Sequence, residues 1–97
     1  MIRHTALFKW TTEATDEQKA AVAAELASLP RIVPSIRGFV LGADVGVATG
    51  NFDFAVTADF DDEAGFFAYR DDPAHRDIIS RTITPIMAQR VAVQFRF

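Results

Sequence analysis

Two residues that could take part in proton transfer, Tyr69 and His75, stand six positions apart in the segment Tyr-Arg-Asp-Asp-Pro-Ala-His-Arg. Asp72 is a favourable N-cap and Pro73 suits the first helical position, so this segment ends one helix near Tyr69 and begins another. His75 then lies in the first turn of the new helix, where the helix dipole favours the neutral imidazole that can accept a proton. The pair could form a small polar site, or it could be a core tyrosine beside a histidine tied to a cap.

The other histidine, His4, lies in an alternating segment over residues 2–10. It shares one face with Ala6, Phe8 and Trp10, as in a half-buried strand. His4 is therefore either a histidine with its hydrogen bonds satisfied at the end of a core strand, or a second polar group in a pocket lined by that face. With two histidines and no cysteine, the sequence predicts neither a metal site nor a disulfide, and no cofactor is expected.

The composition indicates one domain over residues 1–97, since 97 residues with 49% hydrophobic content suffice for a single core. Ten basic and 13 acidic residues are interspersed and give a net charge of -3, which argues against nucleic acid or an anionic membrane as partner. The N-terminus leads into a short alternating segment rather than an apolar signal core, so we expect a cytoplasmic protein.

The first helix is predicted over residues 16–29. Thr15 and Gln18 have capping-box spacing, and an alanine-rich run follows until Pro30, which is expected to end the helix. The alanines give high helix propensity but little bulk, so the helix could leave a cavity above the sheet or let the two layers approach closely. Residues 31–35 are predicted to be a linker.

Alternation predicts three further strands, over residues 36–44, 51–60 and 89–97. The glycines of the first of these suit an edge strand. An N-cap at Asp61 or Asp62 predicts a helix that directs Tyr69 toward the sheet, and a further helix follows Pro73 and ends near Thr84.

The order of these elements predicts an α+β fold of ferredoxin-like βαββαβ topology, with a four-stranded antiparallel sheet and the helices on one face. Right-handed crossovers place the first and third strands in the middle. The helix-facing side is expected to collect His4, Ala6, Phe8, Trp10, Phe52, Phe54, Val56, Val91 and Val93. The opposite face, with Thr5, Leu7, Ala55, Thr57 and Ala92, has no cover within the chain. A homodimer through that sheet face would bury it.

Three stretches resemble the stress-responsive A/B barrel (Dabb) family: residues 1–10, residues 53–60, and Ala68-Tyr69 followed by Asp72-Pro-Ala-His75. The resemblance covers nearly the whole chain. It implies a ferredoxin-like subunit paired into a dimeric α+β barrel, usually without known activity.

One plant polyketide cyclase shares this fold, and its catalytic tyrosine and histidine match Tyr69 and His75. The resemblance implies that Tyr69 would polarise a carbonyl group and that His75 would take a proton from the adjacent carbon, while His4 matches a histidine on the first strand. The chain departs from the cyclase where an aspartate orients the histidine, because that position falls on Val93, or on Gln94 with a one-residue gap, and neither is a carboxylate.

Two hypotheses follow. The leading one is a homodimeric domain that is structural or binds a small apolar ligand between sheet and helices. The ligand-binding residues would be His4, Ala6, Phe8, Phe54, Val56, Tyr69, His75 and Val93. The alternative is a polyketide-cyclase-like or other proton-transfer enzyme on a carbonyl substrate, with His75 as base and Tyr69 as the carbonyl-binding group. Haem-linked chemistry, as in more distant dimeric barrels, would need an imidazole opening onto a large cavity, and no further sequence signature supports it.

Overall fold

A computed structural model describes all 97 residues. Its elements in chain order are β1 (Ile2–Trp10), α1 (Asp16–Leu26), α2 (Leu29–Ile32), β2 (Gly38–Ala43), β3 (Phe54–Phe60), α3 (Glu63–Asp71), α4 (Pro73–Ile78) and β4 (Met87–Arg96). A π-helical segment, Ile79–Ile83, and a 3-10 turn, Thr84–Ile86, join α4 to β4. None of the helices has the length and apolar character needed to span a membrane.

The four strands form one antiparallel sheet in the order β2-β3-β1-β4. The predicted ferredoxin-like topology is confirmed, with β1 and β3 in the middle and β2 at an edge. The register places Ala6 of β1 opposite Val56 of β3 and Ala92 of β4. This register decides which side chains face the helices, because residues directly opposite each other lie on the same side of a sheet.

The predicted start of α1 is confirmed in atomic detail. The Thr15 hydroxyl accepts a hydrogen bond from the backbone N–H of Gln18 at 3.1 Å, and the side-chain oxygen of Gln18 accepts one from the backbone N–H of Thr15 at 2.9 Å. The predicted end at Pro30 is wrong, because α1 ends at Leu26 and Pro30 lies in the first turn of α2. Proline is tolerated there, since first-turn amides have no acceptor within the helix.

The core lies between the sheet and the helices, on the face that carries Phe8, Val56 and Phe60. Val22 and Leu26 of α1 and Leu29 of α2 are fully buried against that face. The alanine-rich remainder of α1 brings little bulk to this layer.

The assignment of Val91 and Val93 to the helix-facing side is wrong. Val93 lies opposite Thr5 and Val91 opposite Leu7, so both point to the other face of the sheet, while Ala92 and Gln94 lie on the helix side. Alternation shows which residues of a strand share a face but not which face they take.

The sheet face away from the helices, called the open face below, is strongly apolar. Val93 is 59% exposed and Val40, on the opposite edge strand, is 66% exposed. The other exposed apolar side chains of β1 and β4 on this face are Leu7, Val91 and Phe95. Polar contacts are few and paired: Arg3 donates two hydrogen bonds to Asp59, at 2.8 and 2.9 Å. Nothing within the chain covers this face.

Candidate functional site

A cavity of about 120 Å³ lies between the central strands and helices α1, α3 and α4. Its walls are mostly apolar, with a few polar side chains directed into it. The lining residues are His4, Ala6, Phe8, Leu26, Val56, Phe66, Tyr69, Arg70, His75, Ile79, Ile83 and Arg90. An apolar cavity with a small number of convergent polar groups is the usual form of a small-molecule site.

Tyr69 brings a phenol hydroxyl to this cavity from the last turn of α3. Its side chain is buried, and burial raises the pKa of the phenol to about 12, so the hydroxyl keeps its proton and can donate it in a hydrogen bond. The hydroxyl forms no hydrogen bond within the chain. Since no completely buried polar side-chain atom of the chain lacks a partner, the hydroxyl keeps some accessible surface, and Tyr69 lines the cavity.

His75 is held by the break between α3 and α4. The Asp72 carboxylate caps α4 by accepting hydrogen bonds from the Ala74 amide at 2.8 Å and the His75 amide at 3.4 Å. The same break leaves the Arg70 carbonyl near the end of α3, and Nδ1 of His75 donates to it at 3.2 Å. With the proton on Nδ1, Nε2 carries the lone pair, which is the tautomer that a general base needs.

The His75 imidazole lies against the Tyr69 ring, with ring centroids 4.1 Å apart. Burial lowers the pKa of His75, although the hydrogen bond to the Arg70 carbonyl and the charge of Asp72 oppose that shift. His75 is therefore neutral at neutral pH. The direction agrees with the expected neutral imidazole, but its largest cause is burial and not the helix dipole.

His4 faces the same cavity from β1 and is buried. The side-chain amide of Gln94 donates a hydrogen bond to its Nδ1 at 2.9 Å, so the proton of the neutral ring lies on Nε2. Burial, with the charges of Arg90 and His75, lowers the pKa of His4. Opposite tautomers thus make His4 a hydrogen-bond donor and His75 an acceptor.

The structure places six of the eight proposed ligand-binding residues on the cavity wall: His4, Ala6, Phe8, Val56, Tyr69 and His75. Phe54 is buried in the core nearer Trp10 and does not reach the wall, and Val93 points to the open face. Gln94 is the inward residue of β4, yet it binds His4 and not His75. The Arg70 backbone carbonyl is the group that orients His75.

Sequence reasoning missed Arg90, which lines the cavity from β4. Arg90 lies opposite Phe8 and shares one face of β4 with Ala92 and Gln94. Because successive side chains of a strand point to opposite faces, Arg90 must face the helices once Val91 and Val93 are assigned to the open face. Nowhere in the chain do three or more His, Cys, Asp or Glu side chains come together in a way that could hold a metal ion.

The strand order and the helices together define an α+β protein of ferredoxin-like topology, with a small cavity between sheet and helices. Residues 2–97 match the family model described as the Stress responsive A/B Barrel Domain, Dabb. The chain therefore belongs to the Dabb family, as the sequence resemblance implies. No curated protein matches the sequence.

Solved structures agree with this assignment. A dimeric ferredoxin-like protein of unknown function from Thermobifida fusca is 48% identical, with 99% of this chain and 90% of that chain covered and a TM-score of 0.92. A dimeric protein of unknown function from Bacteroides fragilis is 21% identical, with 99% and 95% covered and a TM-score of 0.84. The hydroxynitrile lyase from Passiflora edulis is 18% identical, with 97% and 90% covered and a TM-score of 0.82. These last two show a shared fold.

Proposed function

We propose that this chain is a small-molecule-binding domain that takes a compact carbonyl compound into the cavity beneath α1, α3 and α4. The observation that carries the proposal is the Tyr69 hydroxyl, which has no hydrogen-bond partner within the chain and belongs to a residue that lines a mostly apolar cavity. A carbonyl oxygen is the natural acceptor for such a donor, and the apolar body of the ligand would contact Ala6, Phe8 and Val56.

The volume of the cavity limits the ligand. A cavity of roughly 150 Å³ is known to hold benzene, so the 120 Å³ found here suits a molecule of similar size or slightly smaller. A linear polyketide chain is much larger than this volume. We therefore expect small cyclic or branched carbonyl compounds as ligands, and not the polyketides that the cyclase resemblance implies.

Cyclopentanone is a suitable probe, with cyclopentane as the partner that lacks the carbonyl group. Saturation-transfer NMR should show cyclopentanone binding, and Tyr69→Phe should weaken it by about tenfold, the effect of losing one hydrogen bond of ~1.4 kcal/mol, while cyclopentane binding is unchanged. Ala6→Leu should fill the cavity and abolish both. Ala24→Leu, an exposed site on α1, is the matched control and should abolish neither. Binding unaffected by Ala6→Leu would place the ligand elsewhere.

Proton transfer is the second candidate function, and the fixed tautomer of His75 supports it. In this reaction the C–H bond beside the carbonyl breaks, its proton passes to Nε2 of His75, and the electron pair forms an enolate whose oxygen accepts a hydrogen bond from Tyr69. Return of a proton to carbon completes the exchange. Incorporation of deuterium from D₂O into a cyclic ketone, followed by NMR, should exceed the buffer rate and fall to it in His75→Gln. An unchanged rate in that variant would remove His75 as the base.

We further propose a homodimer formed through the open face. Its exposed apolar side chains need cover, and the 48% identical Thermobifida fusca protein is described as dimeric. A carboxylate in the middle of that face should prevent association, because it would be buried without a partner. Sedimentation velocity should show monomers for Val93→Asp and dimers for Val45→Asp, a loop residue that is 80% exposed. A dimeric Val93→Asp protein would exclude this face.

A further inference from the structure

Arg90 is a cation that the fold places beside the cavity without giving it a partner. It lies on the edge strand β4 opposite Phe8, on the helix-facing side, and its side chain lines the same cavity wall as His4, Tyr69 and His75. It forms no ion pair. Most arginines of the chain are paired with carboxylates, namely Arg3, Arg37, Arg70, Arg76, Arg81 and Arg96.

Two arginines therefore remain without an acidic partner, Arg31 and Arg90. Both side chains are exposed, but Arg31 lies on α2 and does not line the cavity. Arg90 does line it, beside two neutral imidazoles and a protonated phenol, and no carboxylate of the wall pairs with it. The nearby Arg70, the other cation of the wall, is already bound to Asp71 through two hydrogen bonds, at 2.8 and 3.0 Å.

We propose that the ligand of this cavity carries a negative charge, with a carboxylate bound by Arg90 at the rim and a compact apolar body inside. This inference rests on the proposed small-molecule site and names the chemical class of its ligand. A guanidinium presents a fork of donors that matches a carboxylate, and bidentate pairs of this kind add geometric selectivity. The carbonyl group bound by Tyr69 would then belong to a small oxo acid.

The electrostatics of the lining residues agree with this geometry. The positive charge of Arg90 lowers the pKa of both His4 and His75 and opposes the rise in the Tyr69 pKa, although the Asp72 carboxylate acts in the opposite direction on His75. No carboxylate lines the cavity itself. An anionic ligand would give Arg90 a counter-charge on the cavity wall.

Pivalate and pivalamide provide the test, since they have nearly the same shape and differ in charge. Isothermal titration should show pivalate binding about tenfold more tightly than pivalamide to the unaltered protein, a difference of ~1.4 kcal/mol. Arg90→Gln should remove this preference by weakening pivalate alone. Arg31→Gln removes the same charge from the other unpaired arginine and should leave both affinities unchanged, which controls for net charge.

The outcomes distinguish the charge of the ligand from the existence of the small-molecule site. Equal affinity for the two probes, or a pivalate affinity that survives Arg90→Gln, would overturn the anionic ligand while leaving a neutral site at Tyr69 intact. Equal loss in Arg31→Gln and Arg90→Gln would also overturn it, because it would show a general charge effect. Failure of both probes and of cyclopentanone to bind would instead refute the small-molecule site itself.

Discussion

Lowering the pH is expected to destabilise this fold in a range where its carboxylates do not yet titrate. The pKa values of His4 and His75 are both lowered from 6.5, chiefly because burial disfavours the charged imidazole. In the unfolded chain the rings regain ordinary values, so between the native pKa values and 6.5 the unfolded chain binds protons that the folded chain does not. Stability is therefore complete above pH 6.5 and decreases as the pH falls toward the lowered native pKa values.

The size of this effect has a thermodynamic limit. One proton difference changes the free energy of unfolding by about 1.4 kcal/mol per pH unit, so two histidines give at most ~2.7 kcal/mol per pH unit. The measured slope should be smaller, because both rings keep some contact with solvent through the cavity. Asp59 provides the contrast: hydrogen bonds from Arg3 lower its pKa from 3.8, so its contribution is lost only at more acidic pH.

Urea unfolding at about pH 8 and about pH 5 measures the histidine contribution, since carboxylates remain ionised over most of that range. The unaltered protein should lose stability on going to the lower pH, and the double variant His4→Gln with His75→Gln should lose much less. Imidazole ¹⁵N NMR should show the proton on Nδ1 of His75 and on Nε2 of His4. A pH dependence unchanged in the double variant, or imidazole pKa values at or above 6.5, would refute the reasoning.

Two further predictions concern the walls and the cap of the cavity. Leu26→Ala and Leu29→Ala should each lower the free energy of unfolding by about 2–5 kcal/mol, because both side chains are fully buried. Only Leu26 lines the cavity, so only Leu26→Ala should enlarge it and admit ligands larger than cyclopentanone. Binding of the same set of ligands by both variants would contradict this. Asp72→Ala should cost about 1 kcal/mol through loss of the α4 cap, whereas Asp72→Asn should keep the cap and lower the pKa of His75 further. Urea unfolding measures the first effect and NMR titration the second, and a raised His75 pKa in Asp72→Asn would show that the Asp72 charge does not favour the protonated imidazole.

The topology could be predicted from the sequence because local signals agree with one another. The Thr15–Gln18 capping box and the Asp72-Pro73 helix start are short-range features whose geometry depends on few neighbours, and the structure reproduces both. The meeting of Tyr69 and His75 follows from the same helix break. These features need no knowledge of distant parts of the chain.

The side of the sheet taken by β4 could not be read from its own residues. Val91 and Val93 are as apolar as a core row, and only the register with β1 shows that they lie on the open face. A sheet that is apolar on both sides removes the usual contrast between buried and solvated residues. Arg90 was missed for the same reason, since its inward position is the direct consequence of the outward position of Val91.

The way in which His75 is oriented limits the chemistry that it can perform. The Arg70 carbonyl fixes the tautomer as a carboxylate would, but a neutral carbonyl stabilises an imidazolium less than a carboxylate does, and the charge of Arg90 disfavours that cation further. As a base in the proposed proton transfer, His75 would therefore be weak. If the site removes a proton from carbon, the substrate must supply the acidity, for example through a carbon between two carbonyl groups. An oxo acid with such a carbon would satisfy Arg90, Tyr69 and His75 together, whereas a simple ketone would occupy the cavity and exchange slowly.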